Sequence, residues 1–198
     1  PDDARVSFVG RFSQNFGVLS SESIVSKTRL RNLLDDNRVV QWVVNQKPVL
    51  KHPKINVRLL GVNNFPIQNV VETIWKRADE KKFERVFTLS VVHQPRDGDE
   101  LRTQLVETAR RFESHDFGLL AQNACGGDVK QNRCLLPYVD MLLKSKMVIS
   151  PPGLGFDCHR SYEILAAGAV PVVQSSNMNS AFQDLPVLIV EDLLEAVF

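Results

Sequence analysis

The sequence predicts an α/β fold, a parallel sheet with helices on both faces. Two observations carry that expectation. From Val86 onward, short apolar runs rich in β-branched residues alternate regularly with amphipathic stretches, the pattern of parallel strands joined by crossover helices. The segment from Ser150 to Glu163, SPPGLGFDCHRSYE, stands between the apolar runs Met147 to Ile149 and Val170 to Val173. That reads as strand, glycine-bearing loop, helix, strand. In open α/β sheets ligands bind at the carboxyl ends of strands, where a helix N-terminus offers free N–H groups to an anion.

The elements follow in order. Val6 to Val9 is an apolar run, and Ser23 to Leu34 is amphipathic, with Ile24, Val25, Leu30, Leu33 and Leu34 as its apolar residues. Val39 to Val44 is rich in β-branched residues and reads as a strand. After His52-Pro53-Lys54 come a strand over 55–62 and a helix over 68–82 with Val70, Val71, Ile74 and Trp75 on one face. Charge is dense from Ala78 to Arg85, which reads either as a division between an amino-terminal or inter-domain segment, 1–82, and a sheet domain, 83–198, or as a solvated helix end inside one continuous domain. Val86 to Val92 is a fully apolar strand. The turn 95–99 leads into a helix carrying Leu101, Leu105, Val106 and Ala109, with Asp97 or Asp99 placed to cap it. Beyond the run Phe117 to Leu120, the pattern gives a helix over 135–144, a strand over 147–149 and a helix over 160–167 stopped by Gly168. Strands over 170–173 and 186–190 follow, then a new helix from Glu191 to Phe198.

The totals bound the function. The chain has 198 residues, 43% of them apolar and 24% charged, ordinary for one generous globular domain. A formal net charge of +1 with no basic block argues against nucleic acid as a partner. No stretch approaches the roughly 20 apolar residues of a membrane span, and no signal-peptide layout opens the chain. A start at Pro1-Asp2-Asp3 and an end inside a helical pattern are expected of a piece of a longer parent. Cys125, Cys134 and Cys158 form no CxxC pair and have no histidines at zinc-like spacing, so a structural zinc is not expected. Cys125 and Cys134 flank a short glycine-containing stretch, and both a disulfide and two free thiols are open there.

The candidate site gathers on the segment 150–163. Glu163, near the start of the helix after the Gly153/Gly155 loop, is a carboxylate able to accept two ribose hydroxyls, while the glycines admit a base or phosphate close to the backbone. His159 and Arg160 can neutralise a diphosphate. The competing reading makes Asp157 a helix cap and Glu163 part of a capping arrangement. Arg96 and Arg102 stand after the strand 86–92, the other position where a parallel sheet presents groups to phosphate. His93 is either a general base or donor, or a structural histidine. His52 and His115 have no supporting neighbours.

The residues Leu142 to Pro151, then Gly153, Gly155, Asp157, His159-Arg160, Glu163 and Leu165 to Val173 resemble the donor-binding motif of exostosin-like glycosyltransferases, in which Ser150 opens the loop. Weaker similarity runs back to about residue 39. The resemblance implies the Rossmann-like carboxyl-terminal half of a two-domain GT-B glycosyltransferase. Its activity would be transfer of a sugar from a nucleotide-sugar donor, commonly a UDP-sugar, to a saccharide or glycan acceptor. It further implies no cofactor and no metal, because helix N-termini and basic side chains stabilise the departing diphosphate. A membrane-anchored parent chain in the Golgi or secretory-pathway lumen is implied as well. Glu163 would hold the ribose, with Arg160 and the Gly153/Gly155 loop facing the diphosphate.

Two positions depart from the family pattern. Pro152 stands where the family has arginine, and Tyr162 where it has tryptophan. The first removes a charge that Arg96, Arg102 or His159 can replace. It also motivates an alternative, a catalytically inactive nucleotide-sugar-binding or scaffolding module of the same fold. A third reading, an unrelated nucleotide- or phosphosugar-binding enzyme, shares only the strand-loop-helix mechanics.

Overall fold

The structure, a computed structural model, describes residues 6–9, 27–44, 52–57, 59–61, 70–80, 82–93, 99–112, 116–120, 135–153, 155–176 and 178–197. Arg96, His115, Cys125 and Cys134 lie outside the described residues. Two parallel sheets form. The smaller one has the order β1 (Val6–Val9), β2 (Val39–Val44), β3 (Ile55–Val57), with α1 (Lys27–Asp35) connecting the first two strands. Its small core is Leu34 and Val39 with Ile55 against them.

The larger sheet has the order β5-β4-β6-β7-β8, from β4 (Phe87–Val91), β5 (Phe117–Leu119), β6 (Ser145–Ile149), β7 (Val170–Gln174) and β8 (Leu188–Val190). All of its pairs are parallel, because α3 (Glu100–Arg111), α4 (Leu135–Lys144) and α5 (His159–Ala166) carry the chain back between strands. Successive strand residues point to opposite faces, and the two cores divide accordingly. Val148 faces Ile74 of α2 (Val70–Glu80), Val139 and Leu142 of α4, and Ile164 of α5. Its neighbour Ile149 faces Leu105, Val106 and Ala109 of α3 together with Leu193 and Val197. Helices therefore cover both faces, and the fold is α/β and Rossmann-like, as expected.

The chain leaves β4 toward β5 on one side and returns to β6 on the other, so the order reverses between β4 and β6. This is the switch point at which open sheets bind ligands. Arg85 braces the opposite end of these strands: its Nη1 donates to the Ser145 carbonyl and its Nη2 to the Ala167 carbonyl at 2.7 Å. Gly168, at φ 70°, ends α5 in the left-handed region natural to glycine. Between helices, Arg77 of α2 grips Asp140 of α4 through both carboxylate oxygens at 2.8 Å.

Four local expectations are corrected. The strand expected over 55–62 stops at Val57. Leu60 gives its N–H to the Asp157 carboxylate rather than to a strand, and Gly61 has a φ of 72°. Trp75 is 60% exposed, because it lies about 100° round the helix from Ile74 and off the buried stripe. In place of the helix expected from Glu191 there is a 3-10 turn, Glu195–Val197, which buries Leu193 and Val197. His52 does have neighbours: its Nε2 is 3.1 Å from Asp35 Oδ1, and its Nδ1 accepts from Lys54 N–H.

Candidate functional site

The site forms beyond the carboxyl ends of β4 and β6. Val91 and Ile149 pair in register, which brings His93 and the Ser150 loop side by side. His93 is 1% exposed. Its Nε2 lies 3.2 Å from the Arg102 carbonyl oxygen, which can only accept, so Nε2 carries the proton. Burial first, and then the charge of Arg160, push the imidazole pKa down to about 3. His93 is therefore neutral throughout the physiological range, with Nδ1 as a bare acceptor. Nδ1 has no hydrogen-bond partner among the described residues.

Arg102 stands on the first turn of α3, whose N-cap is Asp99, accepting from Arg102 N–H at 3.2 Å. The guanidinium is held by Asp99 Oδ2 at 2.9 Å and donates to the Pro152 carbonyl through Nη2 at 3.0 Å. A Cβ added at Gly153 would meet Arg102 Nη2 at 3.6 Å. Arg102 thus brings a cation from α3 to the turn at Pro152 and Gly153.

Ser150 is buried, and its Oγ shares a hydrogen bond of 2.9 Å with Ser161 Oγ. This ties the start of the loop to the first turn of α5. Gly153 N–H donates to the Gly155 carbonyl at 2.9 Å, tightening the loop.

The segment then splits between two tasks. On one side of α5, Asp157 accepts from Leu60 N–H and, at 2.7 Å, from the Tyr162 hydroxyl. His159 Nδ1–H donates to the Gly61 carbonyl at 2.7 Å. These three side chains clamp the stretch 59–61. Burial raises the Asp157 carboxyl pKa, and its two hydrogen bonds oppose that rise. Asp157 is not the α5 cap, since the N-cap is Cys158 with no side-chain bond to the helix.

On the other side stand Arg160 and Glu163. Glu163 lies in the second turn of α5, not the first, because the helix begins at His159. Nor does it complete a capping arrangement: its Oε2 accepts from the Tyr138 hydroxyl at 2.6 Å. Burial, then the Glu163 charge, raise the Tyr138 pKa well above its ordinary value, which keeps the phenol a donor. Arg160 Nε is buried without a hydrogen-bond partner among the described residues.

Sequence reasoning missed Tyr138, which sits on α4 among apolar residues at helical spacing and looks like core. It also missed the backbone of 59–61 as the partner of Asp157 and His159, separated from them by nearly a hundred residues. Among the described residues, no group of three His, Cys, Asp or Glu side chains is arranged to hold a metal ion.

Fold and candidate site together define a doubly wound α/β domain with polar and cationic side chains gathered near its switch point. Residues 63–187 match the RXYLT1 C-terminal domain family. The match covers well over half of the chain, which therefore belongs to that family, a glycosyltransferase family. A comparison with curated proteins finds no match.

Proposed function

We propose that this domain binds a nucleotide-sugar donor, a UDP-sugar foremost, at the β4/β6 switch point and serves transfer of the sugar to a saccharide or glycan acceptor. The bond from the anomeric carbon to the donor phosphate breaks, a bond to the acceptor hydroxyl forms, and the hydroxyl proton passes to a base outside the residues named here. The observation that supports the reading is the Arg102 guanidinium set against Pro152 and Gly153, on the loop that leads from β6 into α5 and Arg160 at the switch point. Amide donors and two guanidinium groups converging there suit a departing diphosphate without a bound metal.

In this reading Glu163, oriented by Tyr138, accepts the ribose hydroxyls, and Arg160 with Arg102 faces the diphosphate. Gly153 and Gly155 let the backbone approach it. Ser150, Asp157 and His159 hold the loop and α5 in position, and Arg96 is an added cation beyond β4. The domain acts as the carboxyl-terminal half of an exostosin-like GT-B enzyme, with its boundary near residue 82. α2, ahead of that boundary, lends Val70 and Ile74 to the core of the larger sheet. A membrane-anchored parent in the Golgi or secretory lumen completes the reading. No helix among the described residues is long and apolar enough to cross a membrane.

Thermal-shift titration with UDP, GDP and their sugars tests this: UDP and its sugars raise the melting temperature, and Glu163→Ala removes the rise. Absence of any nucleotide-dependent shift overturns it. The alternative rests on Pro152, a module that binds donor without turnover. Donor binding by the full parent without sugar transfer or donor hydrolysis would select it.

A further inference from the structure

Two buried polar atoms near the ends of β4 and β6, His93 Nδ1 and Arg160 Nε, are left without partners among the described residues, although the rest of each side chain is engaged, His93 with the Arg102 carbonyl and Arg160 with Tyr138. Buried polar atoms are almost always paired, and orphans on neighbouring elements of a candidate site point to what a ligand brings. The two have opposite needs. Nε2 of His93 is committed as a donor to the Arg102 carbonyl, so Nδ1 of the neutral ring offers only a lone pair. Arg160 Nε offers only a proton. His93 projects from just beyond the end of β4, and Arg160 from the first turn of α5 after β6. The two strands are direct neighbours. Burial first, and then the charge of Arg160, keep the imidazole unprotonated.

These requirements exclude most ligand groups. A phosphate or carboxylate oxygen satisfies Arg160 but meets the Nδ1 lone pair with its own. An ammonium group satisfies Nδ1 but is repelled by the guanidinium. A neutral hydroxyl satisfies both, donating its proton to Nδ1 and accepting from Nε–H.

We propose that His93 Nδ1 and Arg160 Nε form a hydroxyl-reading subsite, in which His93 is a specificity-determining residue for a sugar hydroxyl of the ligand and not a phosphate contact. The inference rests on the donor-site reading above. The hydroxyl belongs either to the ribose or to the transferred sugar, and the same experiment separates them.

The test is isothermal titration of the full chain and two variants with UDP, 2′,3′-dideoxy-UDP and UDP-glucose. An asparagine amide reaches the place of Nδ1, and a glutamine amide that of Nε2. His93→Asn therefore keeps the acceptor and gives up the bond to Arg102; His93→Gln does the reverse. The expected result is a loss of about tenfold in affinity for His93→Gln wherever the ligand brings the hydroxyl, with His93→Asn within about twofold of wild type. A ribose hydroxyl shows as a loss on UDP and UDP-glucose that is absent with the dideoxy ligand. A hydroxyl of the transferred sugar shows on UDP-glucose alone.

Wild-type affinity of His93→Gln for all three ligands, or an equal loss on all three, overturns the proposal while leaving nucleotide binding intact. So does a loss confined to His93→Asn. Should a variant fail to fold, equal affinity of the wild-type chain for the three ligands still overturns the proposal, because then no hydroxyl is read. If wild type binds neither UDP nor UDP-glucose, the donor-site reading itself falls, and this subsite with it.

Discussion

The two sides of α5 differ in a way that neighbouring residues of one short helix seldom do. His159 and Tyr162, one turn apart, are occupied with the protein itself, together with Asp157 just ahead of the helix. Arg160 and Glu163, displaced one position along the same turn, take no part in that clamp: the carboxylate is oriented by Tyr138 of α4, and the guanidinium keeps an Nε unpaired among the described residues. One half of the motif is bonded to the backbone of 59–61; the other is bonded to Tyr138 and keeps one buried donor unpaired among the described residues. Polar residues of one motif thus take different tasks, and some fix the backbone from which the others project.

The comparison breaks most visibly at Asp157. Asp157→Ala leaves Leu60 N–H and the Tyr162 hydroxyl without their acceptor and should lower the unfolding free energy by about 2–4 kcal/mol in urea titration.

His93 comes next. Its folded pKa lies below the ordinary 6.5, at about 3, so the unfolded chain binds the extra proton. Its contribution is fully present above about pH 6.5 and drains away as pH falls toward 3. The expected loss is about 2 kcal/mol between pH 7.5 and pH 5. Urea titrations at the two pH values should show His93→Gln losing less than wild type by that amount.

Gly168→Ala forces a left-handed φ on a side chain whose Cβ meets Arg85 Nη2 at 2.9 Å. It should cost about 1–2 kcal/mol by the same measurement. His159→Ala removes one half-buried hydrogen bond to Gly61, worth about 1 kcal/mol. Glu163→Gln, which keeps an acceptor for Tyr138, should change stability by no more than about 1 kcal/mol, the smallest effect on folding in the series.

Most of the larger sheet was legible in the sequence because its strands and helices carry strong, distinct periods. α4 has the expected bounds, Leu135–Lys144, and β4, β6, α5 and β7 agree to within a residue or two. Expectation failed where tertiary contacts outrank local pattern. Leu60 continues an apolar run, yet its N–H is claimed by a carboxylate from another element, and the strand ends early. Leu193 and Val197 have helical spacing, but a turn suffices to bury them. In the candidate site, the motif could not show how its residues divide, since Asp157 and Arg160 differ only in which neighbour the fold sets opposite. Tyr138 carried no signal at all: a tyrosine on an apolar helix stripe reads as core until its hydroxyl is seen against Glu163.

The most direct test of this division measures UDP affinity by isothermal titration for wild type and Glu163→Gln, alongside the melting temperature of each without ligand. The account predicts that Glu163→Gln loses at least about tenfold in UDP affinity while melting close to wild type. Undiminished UDP affinity in a folded Glu163→Gln protein would contradict it.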